Sequence, residues 1–129
     1  MLIKDCKIKN AITCQANENI VIIAKKLRDG KERHIIVLKK DKPIGIISTT
    51  DINNKVVAEK RNLDKTNAEN IMTSEILIKD INEPVSKAYI KMIKDGLYST
   101  IITENEKFKG ILELREAMNH IIKNSPKNK

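Results

Sequence analysis

Gly45-Ile46-Ile47-Ser48-Thr49-Thr50-Asp51 returns 65 positions later as Gly110-Ile111-Leu112-Glu113-Leu114-Arg115-Glu116. Ile12-Thr13-Cys14 returns 64 positions later as Ile76-Leu77-Ile78, and Asp29-Gly30 returns 66 positions later as Asp95-Gly96. The near-constant offset predicts two copies of one unit, which normally pack about a pseudo-two-fold axis. The copies differ at one corresponding place: Ser48 and Asp51 in the first, Glu113 and Glu116 in the second.

A chain of 129 residues suits one domain or two closely packed halves. Halves of about sixty residues bury too little surface to be stable alone, so a shared core is expected. That core must be aliphatic, because Phe108, Tyr89 and Tyr98 are the only aromatic residues. Charged residues make up 33% of the chain, and 25 Lys and Arg against 17 Asp and Glu leave a net charge of +8. A basic surface attracts nucleotides, nucleic acid or acidic proteins. The lysines, however, are scattered, as on an ordinary solvated exterior. Cys6 and Cys14 form no Cys-x-x-Cys, and no histidine stands at ligand spacing, so neither disulfide nor metal site is expected. The N-terminus lacks a signal-peptide stretch, and the aliphatic run 20–24 is too short to span a bilayer. A cytoplasmic protein with no membrane partner is the expectation.

Each copy reads strand, helix, strand, strand, helix. Short strands are expected at 11–14 and 76–78. Asn17-Glu18-Asn19 and Asn82-Glu83-Pro84 then start helices, with Pro84 in a first turn and Glu83 at the positive helix end. Ile20, Ile23, Ala24 and Leu27 recur at helical spacing, as do Val85, Ala88, Tyr89 and Met92. Gly30 and Gly96 are placed just past the helix ends. Hairpins follow, with turns at 39–43 and 104–107. Closing helices begin near Thr50 and Leu114, the second carrying His120 on its polar face. The expected map is a first repeat at 1–61, a linker at 62–70, a second repeat at 71–124 and a disordered tail at 125–129.

Ser48 and Asp51 sit where a strand hands over to a helix. A serine followed three residues later by an acid reads as a capping box, worth about 0.5–2 kcal/mol. The same geometry suits a nucleotide. A helix N-terminus welcomes phosphate, the hydroxyl of Ser48 or Thr49 donates to a phosphate oxygen, and a carboxylate one turn on accepts from two ribose hydroxyls. With two histidines, no Ser-His-acid pattern, no Walker A loop and no Gly-x-Gly-x-x-Gly, an enzyme is not expected.

Order, length and motif placement resemble a tandem pair of CBS domains (the cystathionine-β-synthase domain), or Bateman module, over residues 8–122. The carriers are Ile71-Met72-Thr73, the glycines Gly30 and Gly96, and the heptapeptide ending in Asp51, which matches the family's Gly-h-h-Ser/Thr-x-x-Asp, where h is aliphatic. Ile35 and Ile101 depart from it, standing where the family often has proline. The resemblance implies an α/β (α+β) fold of two β-α-β-β-α repeats about a pseudo-two-fold axis. It implies a non-catalytic sensor with no required cofactor, which binds AMP, ADP, ATP or S-adenosylmethionine in the cleft between repeats. A flat homodimer acting on an unidentified regulated protein is part of the same picture. By position, Asp51 would hold ribose and Ser48 ribose or phosphate, with Thr49 beside it. Ile12, Cys14, Ile35 and Ile46 would line the adenine slot, and Arg33 and His34 would reach phosphate. In the second copy Glu113 would face a phosphate, a repulsion of about 4 kcal/mol at 4 Å and an effective dielectric near 20. Arg115 offsets part of it, and with Glu116 in place of aspartate a degenerate second site is expected. The alternative is a basic scaffold or nucleic-acid-binding protein with vestigial pockets; missing aromatic platforms and basic clusters weigh against it.

Overall fold

His34-Ile35-Ile36-Val37-Leu38 and its copy Ser99-Thr100-Ile101-Ile102-Thr103 are rich in β-branched residues, whose stiff side chains suit a pleated strand. The computed structural model, which describes residues 1–124, places each at the centre of a three-stranded sheet. In the first, β1 (Thr13–Gln15) runs parallel to β2 (His34–Lys39), and β3 (Lys42–Ser48) runs antiparallel to it. Helix α1 (Ile20–Gly30) makes the crossover that a parallel pair needs. After β3 come α2 (Thr49–Ile52), a π-turn at Asn53–Val57 and, further on, α3 (Ala68–Ile71). The second copy repeats the order as β4 (Ile78–Asp80), α4 (Val85–Asp95), β5 (Ser99–Glu104), β6 (Lys107–Glu113) and α5 (Leu114–Lys123). The mixed α+β class and the β-α-β-β-α order are both present. The tail expected at 125–129 lies outside the described residues. No helix among the described residues is long and apolar enough to cross a membrane.

Several boundaries differ from the sequence expectation. The first strands begin two residues later than 11–14 and 76–78, because pairing with the central strand starts at Thr13–Ile36 and Ile78–Ile101. The hairpin turns are tighter. Only Lys40-Asp41 (φ 51° and 67°) and Asn105-Glu106 (φ 53° and 67°) lie outside the ladders, the two-residue left-handed turn that matches strand twist. Pro43 therefore lies inside β3, next to the register shift at Val37/Leu38, where a missing N–H is tolerated. Gly30 is the last residue of α1, and Lys31 (φ 54°) takes the left-handed cap that Gly96 (φ 68°) takes after α4. Pro84 is the N-cap of α4, with ψ 136°, one place before the first turn. Glu83 closes the preceding loop by accepting from Asp80 N–H at 2.7 Å, as Glu18 does from Gln15 N–H at 3.0 Å.

The chain divides into two compact units, Ala11–Ile76 and Met1–Asn10 with Leu77–Lys129. Instead of one shared core, each unit has its own cluster of buried aliphatic side chains. The first gathers Ile20, Ile23, Leu27, Ile35, Val37, Ile47 and Val56 with Ala68 and Ile71; the second gathers Val85, Ala88, Met92, Ile102 and Leu112 with Ile3 and Cys6. The stretch expected as a polar linker at 62–70 thus supplies buried Thr66 and Ala68 to the first unit. The N-terminal segment, expected with the first copy, supplies Ile3 and Cys6 to the second unit.

These two segments are equivalent. Ile3 N–H donates to Glu83 O and Ala68 N–H to Glu18 O, both at 2.9 Å. Lys9 then pairs with Ile111 on β6, and Thr73 pairs with Ile46 on β3, each through reciprocal hydrogen bonds of 2.9–3.0 Å. The leading segment of each sequence copy covers the edge strand of the other copy's unit. Gly45 and Gly110 permit the approach. A β-carbon on Gly45 would stand 2.5 Å from Met72 Sδ and 3.0 Å from Thr73 O; on Gly110 it would stand 2.6 Å from Lys9 O. The obstacle at Gly45 is mostly a flexible side chain, and at Gly110 it is backbone. Gly110→Ala is therefore expected to cost more stability than Gly45→Ala, with both within the roughly 1–3 kcal/mol of overpacking. Urea denaturation of the two variants checks the order.

Candidate functional site

The turn from β3 into α2 is held by its own side chains. Ser48 Oγ accepts from Asp51 N–H at 3.0 Å, and Asp51 Oδ2 accepts from Ser48 N–H at 2.9 Å, a complete capping box. Lys55, one turn further on, pairs with Asp51 Oδ1 at 3.3 Å. Thr49 N–H donates to Arg33 O at 3.0 Å, which ties the turn to the residue before β2. The cap does not exhaust the carboxylate. Each of its oxygens has two lone-pair sites, and one donor on each leaves capacity for a second. The Ser48 hydroxyl, which accepts in the cap, still has its own hydrogen to give. The Asp51 side chain retains 18% of its exposure.

Sheet alternation sorts the other expected residues onto two faces. Cys14, Ile35 and Ile47 point into the core of the first unit, with 1%, 0% and 0% exposure. Cys14 and Ile35 therefore do not line a ligand slot, contrary to the sequence expectation. His34 lies opposite Ser48 and Ile36 opposite Ile46, so these four share the other face. Ile36 is buried at 3% exposure, whereas Ile46 is part-buried; Lys55, which pairs with Asp51, is a neighbour of the turn that the sequence expectation does not name. The i,i+4 spacing from Asp51 is the signal that points to it. Arg33 and His34 are exposed beside this face. Ile12 and Thr49 line different concavities. Ile12 lines a concavity of about 650 Å³ with Ala11, Thr13, Lys26 and Gly30, whereas Thr49 lines one of about 260 Å³ with Ala24, Leu27, Arg28 and Ile52. Of the expected set, Ser48, Asp51, His34 and Ile46 are the residues that this unit assembles around one edge of its sheet.

The CBS domain family model matches residues 3–58 and 68–123. The chain belongs to the CBS domain family. An uncharacterized protein of Methanopyrus kandleri is 32% identical over 112 residues, which is 85% of this chain; the chain spans 57% of that relative's length. Among solved structures, the CBS domain pair of protein MJ0100, in complex with 5′-methylthioadenosine and S-adenosyl-L-methionine, is 28% identical. It has a TM-score of 0.68 and covers 95% of this chain and 99% of its own. A CBS domain-containing protein of unknown function from Bacillus anthracis shares the fold at a TM-score of 0.79, with 20% identity, covering 96% of this chain and 94% of that one.

In the second CBS copy the corresponding turn is built differently. Glu113 is the N-cap of α5 without a side-chain cap bond, and it pairs with Lys9 at 3.4 Å. Glu116 reaches instead to the N-terminal segment, accepting from Lys7 N–H at 2.9 Å. Arg115 is exposed. Sequence spacing offered no metal-ligand set, yet this CBS unit brings the ligand atoms of Cys6, Glu116 and His120 within 4.8 Å of one another.

In the first CBS copy, burial pushes the Cys14 thiol up to about 12, with Glu18 adding to the shift and Lys26 opposing it. A folded-state value above the ordinary 9 means that the native state holds the proton more tightly. Its contribution to stability is complete below pH 9 and is lost as pH rises from there toward 12. The urea midpoint is expected to fall over that window, and to fall less steeply in Cys14→Ala.

Proposed function

We propose that the protein is a non-catalytic regulatory module that binds an adenosine ligand beside the Ser48–Asp51 turn. The observation that carries the reading is the Asp51 carboxylate, pinned by Ser48 N–H and Lys55 but with acceptor sites remaining. Such a group accepts from the vicinal hydroxyls of a ribose. The Ser48 hydroxyl donates to ribose or phosphate, the part-buried Ile46 offers an apolar surface to the purine, and Arg33 and His34 lie beside it for a phosphate or another anionic group. The MJ0100 pair, in complex with 5′-methylthioadenosine and S-adenosyl-L-methionine, supports the ligand class. The candidates are those two compounds with AMP, ADP and ATP. The second copy has two carboxylates at the equivalent turn and takes a weakly charged ligand at most. Regulation follows if the ligand favours one state of the module over another, since only differential affinity shifts an equilibrium.

Thermal-shift titration with the five adenosine compounds, and with duplex DNA as a control, tests this. A one-site ligand at a hundred times its dissociation constant adds about 2.7 kcal/mol to stability. Asp51→Ala is expected to abolish that shift while losing only about 0.5–2 kcal/mol of capping energy, and Glu116→Ala to leave it intact. Normal adenosine binding by Asp51→Ala would remove the assignment. A salt-sensitive response to DNA alone would favour the nucleic-acid reading.

The assembly partner proposed with this reading is a second copy of the chain. Helix α4 exposes Ile90 (62%) and Ile93, and α5 exposes Met118 and Ile122 (64%), more apolar surface than two solvated helices need. Sedimentation is expected to give a dimer that the double variant Ile90→Glu, Ile122→Glu converts to a monomer. A monomeric parent chain would end this part of the proposal.

A further inference from the structure

Cys6, Glu116 and His120 form the one group of three potential metal ligands found among the described residues, with all three ligand atoms within 4.8 Å of one another. We propose that this cluster is a binding site for a zinc-class divalent transition metal. Its three donors are a cysteine sulfur, which gives up its proton when a metal binds, an imidazole and a carboxylate, the set that such ions take up in preference to magnesium or calcium. Three protein ligands leave a fourth tetrahedral position for water or a bound anion.

The placement is built by both parts of the second unit. Glu116 and His120 stand four residues apart on α5, hence on one face of the helix. Cys6 comes from the N-terminal segment and is buried. Its backbone is fixed by Cys6 N–H donating to Ile3 O at 2.9 Å, and by the next residue, Lys7, whose N–H donates to Glu116 Oε2 at 2.9 Å. That second bond orients the carboxylate, as outer hydrogen bonds orient metal ligands generally. Metal–ligand bonds of about 2.0–2.3 Å require the donors to close by roughly 1 Å, a side-chain adjustment. Glu116 occupies the position where the first copy has Asp51. The place that holds the Asp51 capping carboxylate in one copy thus supplies a metal ligand in the other. The site is independent of the adenosine reading.

Cobalt(II) titrated into the untagged full chain is the probe. Tetrahedral ligand-field bands and a thiolate-to-cobalt charge-transfer band are expected, saturating at one ion per chain. His120→Ala, on a half-buried helix position that tolerates alanine, is expected to weaken binding by more than the roughly tenfold to hundredfold that loss of an outer-shell partner costs. Cys6→Ser is expected to remove the charge-transfer band, and Cys14→Ala to leave it unchanged. No charge-transfer band in the parent chain, or parental affinity in His120→Ala, overturns the proposal.

Discussion

The fold depends on two short exchanges of backbone hydrogen bonds, Thr73 with Ile46 and Lys9 with Ile111. A three-stranded sheet in a unit this small has an exposed edge and too little apolar surface to cover its core. In each unit the leading segment of the other sequence copy supplies both needs. It pairs along the edge strand, and it places apolar side chains, Ala68 and Ile71 in one unit and Ile3 and Cys6 in the other, among the buried residues. Neither copy forms its unit from its own residues alone. The glycine that opens the repeated heptapeptide has its physical reason here, since a β-carbon would meet the crossing segment, chiefly the Met72 side chain at Gly45 and the Lys9 carbonyl at Gly110.

The same crossing distinguishes the two candidate turns. In the first copy Ser48 and Asp51 satisfy each other, so the carboxylate is held by its own turn with lone pairs to spare. In the second copy neither Glu113 nor Glu116 completes a cap. Their side chains turn to the N-terminal segment, where Lys9 and the Lys7 N–H receive them. Replacing a hydroxyl and a short acid by two longer acids converts a closed local motif into a tie across the chain. That change also brings Glu116 beside Cys6 and His120.

Much of the fold was legible in the residues. A repeat of near-constant offset, β-branched runs and helical stripes of apolar residues are local patterns, and they locate the sheets and the long helices. The misplaced details were those in which the chain departs from a local rule. Lys31 and Lys40 adopt positive φ without glycine, and Pro43 sits inside a strand because a register shift accommodates it. Of the candidate site, the Ser48–Asp51 capping box is legible as a pair three residues apart. Cys14 and Ile35, expected in a ligand slot by the family resemblance, are sent to the core by strand alternation.

By itself the sequence determined the duplicated unit, its order of elements, the aliphatic core and the difference in charge between the two turns, because each is written in neighbouring residues. Only the tertiary structure decided which copy's segment completes which unit, which face of the sheet each strand residue takes, and that Cys6 meets Glu116 and His120. Those outcomes are set by pairings between residues far apart in the chain. A hydrogen-bond partner more than a hundred positions away, as Glu116 is from Lys7, leaves no periodic trace for a local pattern to reveal.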